Sequence, residues 1–267
     1  MSFVLFFSCA SYVPVPETVE PQEESLEISE PISEEAFSEE DFQNGSYAML
    51  MVIGRELEDP SPLNNDWGKQ QTTSLVLLDW TRSETQLEYV ETHCALSVSD
   101  DFGTMHRYSD HYLDAISDRV RMGSLSSAQV GADFTIPEYI DLNGVNLNNP
   151  SDPLPTHSTD SRIYDMDEDG QVGVTITVDA SVGTGEVYAI QRRSYALSGT
   201  VISQERIEGY VVASPEQVSL DFSEFWLEYG TSEDRADSDP TRSYFIIQEI
   251  DSSWGCADIL SNQSSLF

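Results

Sequence analysis

Lysine is almost missing from this chain. Lys69 is the only one in 267 residues, and twelve basic side chains in all face 48 acidic ones, for a net charge of −36. A field so one-sided repels phosphate backbones and anionic lipid headgroups, which excludes nucleic-acid binding. It favours cations and a soluble monomer, and it fits a salty medium, where screening relieves the self-repulsion. No stretch approaches the ~18–20 consecutive apolar residues of a membrane-spanning helix. Catalytic signatures are missing as well: there is no G-x-S-x-G, no glycine-rich phosphate loop, no H-E-x-x-H and no C-x-x-C. No internal repeat occurs. Helical patterning is confined to residues 109–121, "SDHYLDAISDRVR", where Tyr112, Ile116 and Val120 share a face and Ser109 or Asp110 can cap the start.

What remains is overwhelmingly β. "SYAMLMVIG" and "TTSLVLLDW" are short apolar runs bounded by turn residues, as in strands buried on both faces. "ETQLEYVETHCALSV" alternates, with Leu87, Tyr89 and Glu91 opposite Glu88, Val90 and Thr92. Val172, Val174, Ile176 and Val178 fall on one face, and Thr175 and Thr177 on the other. The stretch from Gly185 to Phe222 alternates in two halves meeting at "SQE", a long hairpin in which Arg192 and Arg193 point to opposite faces. "RSYFIIQEI" is a final strand, and residues 137–163, rich in Pro, Asn and Asp, read as a long loop. These signals predict one all-β domain over residues 45–267, an antiparallel barrel of about eight to ten strands with one short helix. A two-sheet β-sandwich is the alternative.

The N-terminus has a different character. "MSFVLFFSCASY" is apolar and ends in small residues around Cys9, with no base before Arg55. It resembles the tail end of a bacterial lipoprotein signal, in which a cysteine after Ser8 is acylated, although Phe6 stands where leucine is usual. That resemblance implies a start further upstream, a signal remnant over residues 1–9 and a membrane anchor on Cys9. Residues 10–44 hold eleven Asp or Glu, four prolines and no base. Such a segment cannot offset the entropy of ordering, so it is expected to be a disordered linker. The bland reading is an apolar terminus with an incidental cysteine and a ragged tail. With Cys9 on a lipid, Cys94 and Cys256 are left, and in an oxidising compartment two remaining cysteines pair; two buried free thiols are the alternative.

The sharpest chemical signal is "YDMDEDGQVGVTITV", residues 164–178. Asp165, Asp167, Asp169 and Gly170 match the first half of an EF-hand calcium loop. Alternate carboxylates converge on a hard cation, the glycine permits the turn, and the carbonyl of Gln171 completes the near shell. Position twelve is Ile176 instead of a bidentate glutamate, and the flank is a strand, so this is no EF-hand. It resembles the shorter aspartate-rich calcium loops of extracellular β proteins, with Asp160 the nearest further ligand. The stretch from about 108 to 197 is similar to uncharacterised exported bacterial proteins that carry D-x-D-x-D-G-x-x-G-V-T, a resemblance that implies no activity. An acidic surface turn is the bland reading. Mg²⁺ is less suited than Ca²⁺, because it demands octahedral sites with retained waters.

His106, Asp110, His111 and Asp114 lie within nine residues and contain zinc-type ligands, but in no spacing that fits a zinc motif. His93 and His157 read as ordinary residues. Of Arg192 and Arg193, one can face a barrel interior, where a lone guanidinium needs carboxylates or an anionic ligand. The resulting expectation is a non-enzymatic, lipid-anchored protein of the bacterial outer membrane or cell surface, with a calcium-stabilised β domain in a binding or structural role. A small-molecule carrier with a barrel cavity is the runner-up, and a secreted metal-dependent hydrolase stands third.

Overall fold

The computed structural model describes residues 44–58, 67–229 and 234–267, all within one unit that runs Phe37–Phe267. Cys9 and residues 10–43 of the acidic linker lie outside the described residues. In chain order the elements are β1 (Gly45–Glu58), β2 (Trp67–Ser83), β3 (Gln86–Asp100), β4 (Met105–Tyr108), α1 (Asp110–Ile116), β5 (Arg119–Leu125) and β6 (Asp133–Asn143). They continue with β7 (Val174–Ala180), β8 (Gly183–Ser203), β9 (Arg206–Ala213), β10 (Glu216–Phe222), α2 (Phe225–Tyr229), β11 (Asp234–Ala236), β12 (Tyr244–Ile250) and α3 (Cys256–Leu266).

The strand pairings are antiparallel. Eight strands close a ring in the order β1–β2–β3–β5–β6–β8–β9–β12 and back to β1. The ring is not a regular barrel, because two of its long strands, β3 and β8, leave it. β3 pairs with β5 through Gln86–Glu91 but with β4 through Ser97–Ser99. β8 pairs with β7 and β10 along its first half and with β6 and β9 along its second. Two lobes therefore share β3 and β8.

Each lobe has its own core. Inside the ring, Trp80 packs against Tyr47 at 4.8 Å and Phe134 at 5.8 Å between ring centroids, and Phe134 against Phe245 at 5.6 Å. The second core gathers Tyr112 and Ile116 of α1 onto Val174, Ile176 and Val178 of β7. β1 explains its own apolar run. Tyr47, Met49, Met51 and Ile53 face the ring interior, while Ala48, Leu50 and Val52 face outward under α3, whose Ile259 is fully buried. Both faces are dry, as a continuous run requires. Cys256, the first residue of α3, is disulfide-bonded to Cys94 on β3, with 5.0 Å between their Cα atoms.

Three readings of the sequence need correction. The helix expected over residues 109–121 ends at Ile116. Asp118 takes a left-handed φ of 59° and its N–H donates to the Glu91 carbonyl, so the chain joins the edge of β3 as β5. Val120 is 58% exposed on that strand instead of buried on a helix. The loop expected from residue 137 starts later, since β6 runs on to Asn143. Pro137, which has no N–H to give, sits at a register shift between Ile136 and Tyr139. Finally α2 and α3 had no sequence signal of their own. α3 carries Ser and Gln on its outer side, and it is held by the disulfide, by buried Ile259 with Trp254, Leu266 and Phe267 around it, and by the Arg206 hydrogen bond to the Leu266 carbonyl.

A polar waist joins the lobes. Arg121 donates to Glu91 at 3.1 Å and to Asp141 at 2.6 Å, and Arg119 meets Asp141 at 2.8 Å. Arg119 also donates to Asn143 (3.2 Å), Asn143 to the Tyr112 hydroxyl (3.1 Å), and that hydroxyl to Gln191 (3.3 Å). The Arg121 guanidinium lies 3.8 Å over the Tyr139 ring. A second cluster ties β11 to the first hairpin: Lys69 bonds both Glu56 and Asp237 at 2.8 Å. The lysine's hydrogen bond, helped by Ser238 and Arg235, holds the Glu56 carboxyl down at about 2.

Candidate metal centre

The aspartate loop is closed at its neck by backbone. Met166 N–H donates to the Gly173 carbonyl (2.9 Å), Gly173 N–H to Tyr164 (3.0 Å), and Tyr164 N–H to Gly144 (3.0 Å). The neck admits no side chain. A Cβ on Gly173 would stand 2.3 Å from the Ala189 carbonyl oxygen of β8, and one on Gly144 would stand 2.7 Å from the Gly173 Cα. Both glycines also hold left-handed φ, +85° and +71°. The loop is thus pinned to β8 and to the end of β6.

Within that frame the backbone orients the carboxylates. Asp165 accepts from the N–H groups of Asp169 (3.3 Å) and Gly170 (2.8 Å), across a turn in which Gly170 has φ +91°. Asp169 accepts from Gln171 N–H at 2.8 Å. Asp167 accepts from Thr175 N–H, at the start of β7, at 3.0 Å through Oδ2. One ligand atom from each of Asp165, Asp167 and Asp169 lies within 4.8 Å of the others.

Asp167 is the anomaly. It is 3% exposed, and its Oδ1 has no hydrogen-bond partner. The Thr175 hydroxyl is buried and unpartnered as well. Burial pushes the Asp167 carboxyl up, with the Asp169 and Asp165 charges adding to the effect and the Thr175 N–H opposing it. A buried carboxylate held beside two others is costly unless a cation faces it. The group can hold a metal ion.

The other expected positions fall as follows. Gln171 is in the loop and exposed, its N–H turned to Asp169. Asp160 is not brought into the group: both its oxygens are occupied by the Arg162 guanidinium, at 3.0 and 2.8 Å. His106 lies on β4 paired with β3 and β7, while Asp110, His111 and Asp114 are exposed on α1. Among the described residues, Asp165, Asp167 and Asp169 are the only such group of three found. Sequence reasoning missed Thr175. Its signal was available, since it is the second residue of β7, directly after the loop and on the face opposite Val174 and Ile176. No family model, curated protein or solved structure matches the chain.

Proposed function

We propose that this chain is a non-enzymatic, lipid-anchored protein of the bacterial cell surface or outer membrane, whose β domain is stabilised by Ca²⁺ and serves a binding or structural role. The observation that carries the proposal is Asp167, buried, with an oxygen that has no partner and two carboxylates beside it. An all-oxygen set of this kind suits a hard cation, and a loop with flexible carboxylates suits Ca²⁺ better than Mg²⁺. The ion fastens the loop to β7 through Asp167 and Thr175. The aromatic filling of the ring favours a structural domain over a carrier, because carrier sites run to roughly 300–1,000 Å³.

Calcium at about 10–100 times its dissociation constant adds about 1.4–2.7 kcal/mol, which for a domain this size is about 3–10 °C in Tm. Wild type is therefore expected to melt higher in 10 mM calcium than in chelator. Asp167→Ala should lose that response and, in chelator, melt at or above wild type, since one buried repelling charge is gone. Equal melting of wild type in calcium and chelator would reject the site. For the anchor, expression from a start extended upstream should yield a mature chain that begins at Cys9 and carries diacylglycerol by mass spectrometry. An unmodified Cys9 inside an uncleaved chain would reject that half of the reading.

A further inference from the structure

The waist encloses a cavity of about 20 Å³. Its charged lining is Arg119 and Arg193 with Glu91 and Asp141. Arg121, which does not line it, pairs with both of those carboxylates, so the cluster as a whole sets three positive charges against two negative ones. Both carboxylates are taken by Arg119 and Arg121. Asp141 is the cross-strand neighbour of Arg193, yet its ion pairs go to the other two arginines. Among the described residues Arg193 meets no carboxylate: it donates to the Tyr108 hydroxyl at 3.2 Å and lies 5.5 and 5.8 Å from the Tyr108 and Tyr112 ring centroids. Ring faces attract a guanidinium, but they bring no net charge.

No side chain at the waist supplies the missing negative charge. The phenols of Tyr112 and Tyr195 are pushed up by burial and stay neutral. His93, pushed down to about 4 by burial, is neutral and adds no cation. Its Nδ1 is buried without a partner and belongs to a ring that lines the same cavity. A guanidinium inside a protein without a counter-charge is expensive, and the cost is relieved by an anion within hydrogen-bond reach. The space is atom-sized, large enough for a water or one monatomic ion and too small for phosphate or an organic acid.

We propose that the waist cavity binds one monovalent anion of halide size, held by Arg193 and Arg119 with His93 donating from Nδ1. The ion neutralises the excess charge where β3, β5, β6 and β8 meet, and so couples the two lobes. The site is separate from the aspartate loop and has opposite charge preference.

The test is bromide. Crystals of the full chain grown in bromide should show an anomalous peak inside the cavity beside Arg193. In solution, with calcium fixed and ionic strength held by methanesulfonate, which is too large to enter, 0.5 M chloride should raise Tm by about 3 °C. Arg193→Met should lose that increment. Should the variant not fold, the bromide peak in wild type decides alone. A water in the cavity of bromide-grown crystals, or melting curves that superpose in chloride and methanesulfonate, would overturn the proposal and leave a water site only.

Discussion

Arg121→Met is expected to lower Tm by about 6–20 °C. Arg121 is 13% exposed and sits between Glu91, which is 3% exposed, and Asp141. Burial already pushes the Glu91 carboxyl up, and Arg121 is the first group that opposes this. Removing the guanidinium leaves Glu91 as a buried charge without its partner, a change that costs about 3–5 kcal/mol. At about 2–4 °C per kcal/mol for this size, the stated range follows. Two features separate this cause from simple loss of packing on Tyr139. Glu91 can escape by taking a proton, and its folded pKa then lies above the unfolded value. The extra cost is therefore full at high pH and fades as pH falls through the raised folded pKa towards about 4.3. The gap between variant and wild type should narrow between pH 8 and pH 5. The double change Glu91→Met with Arg121→Met should also recover part of the loss, because Asp141 keeps Arg119. A pH-independent gap, or a double variant less stable than the single one, would show that the pair is not the source.

Most of the architecture was legible because it rests on period-two patterning. Leu87, Tyr89 and Glu91 do share the inner face of β3, and Val174, Ile176 and Val178 are buried as their alternation requires. The continuous run of β1 announced two covered faces but could not say what covers them; the answer is α3, nearly 200 residues later. Helix α1 was found by its Ser109 cap, yet its end was invisible. The chain leaves the helix because the β3 edge offers Asp118 and β5 a ladder, and that edge is remote in sequence. The aspartate loop was legible as a local motif, and its Gly173-Val174-Thr175 tail proves to be a close approach, a core residue and a partner of Asp167 in turn. The waist was half legible. That one of Arg192 and Arg193 faces the interior was readable from their place in a long strand, but nothing in the alternation of β3 set Glu91 apart. That Arg121 and not Arg193 answers Glu91 depends on how β5 and β6 fold between them.

Reduction of the Cys94–Cys256 disulfide is expected to cost about 2–5 kcal/mol, or about 4–20 °C in Tm. The two cysteines are 162 residues apart, and the chain-entropy model assigns a loop of that length about 5 kcal/mol, near the top of the measured range. The bond also fastens α3 to β3, so two outcomes must be told apart. If it acted only as a local tack, reduction would release residues 256–266 and leave the ring's stability in place. The packing argues otherwise. Ile259 is fully buried beside Leu50 and Val52, Trp254, Leu266 and Phe267 pack around it, and Arg206 donates to the Leu266 carbonyl at 3.0 Å. These contacts keep α3 docked without the sulfur bridge. The loss should therefore fall on the unfolded state, which gains freedom over most of the domain and exposes more surface. Denaturant unfolding of the Cys94→Ala, Cys256→Ala variant should show a lower midpoint together with a larger m value. Hydrogen exchange under native conditions should leave the α3 amides protected. Rapid exchange confined to α3, with midpoint and m value unchanged, would mean that the disulfide holds the helix and little else.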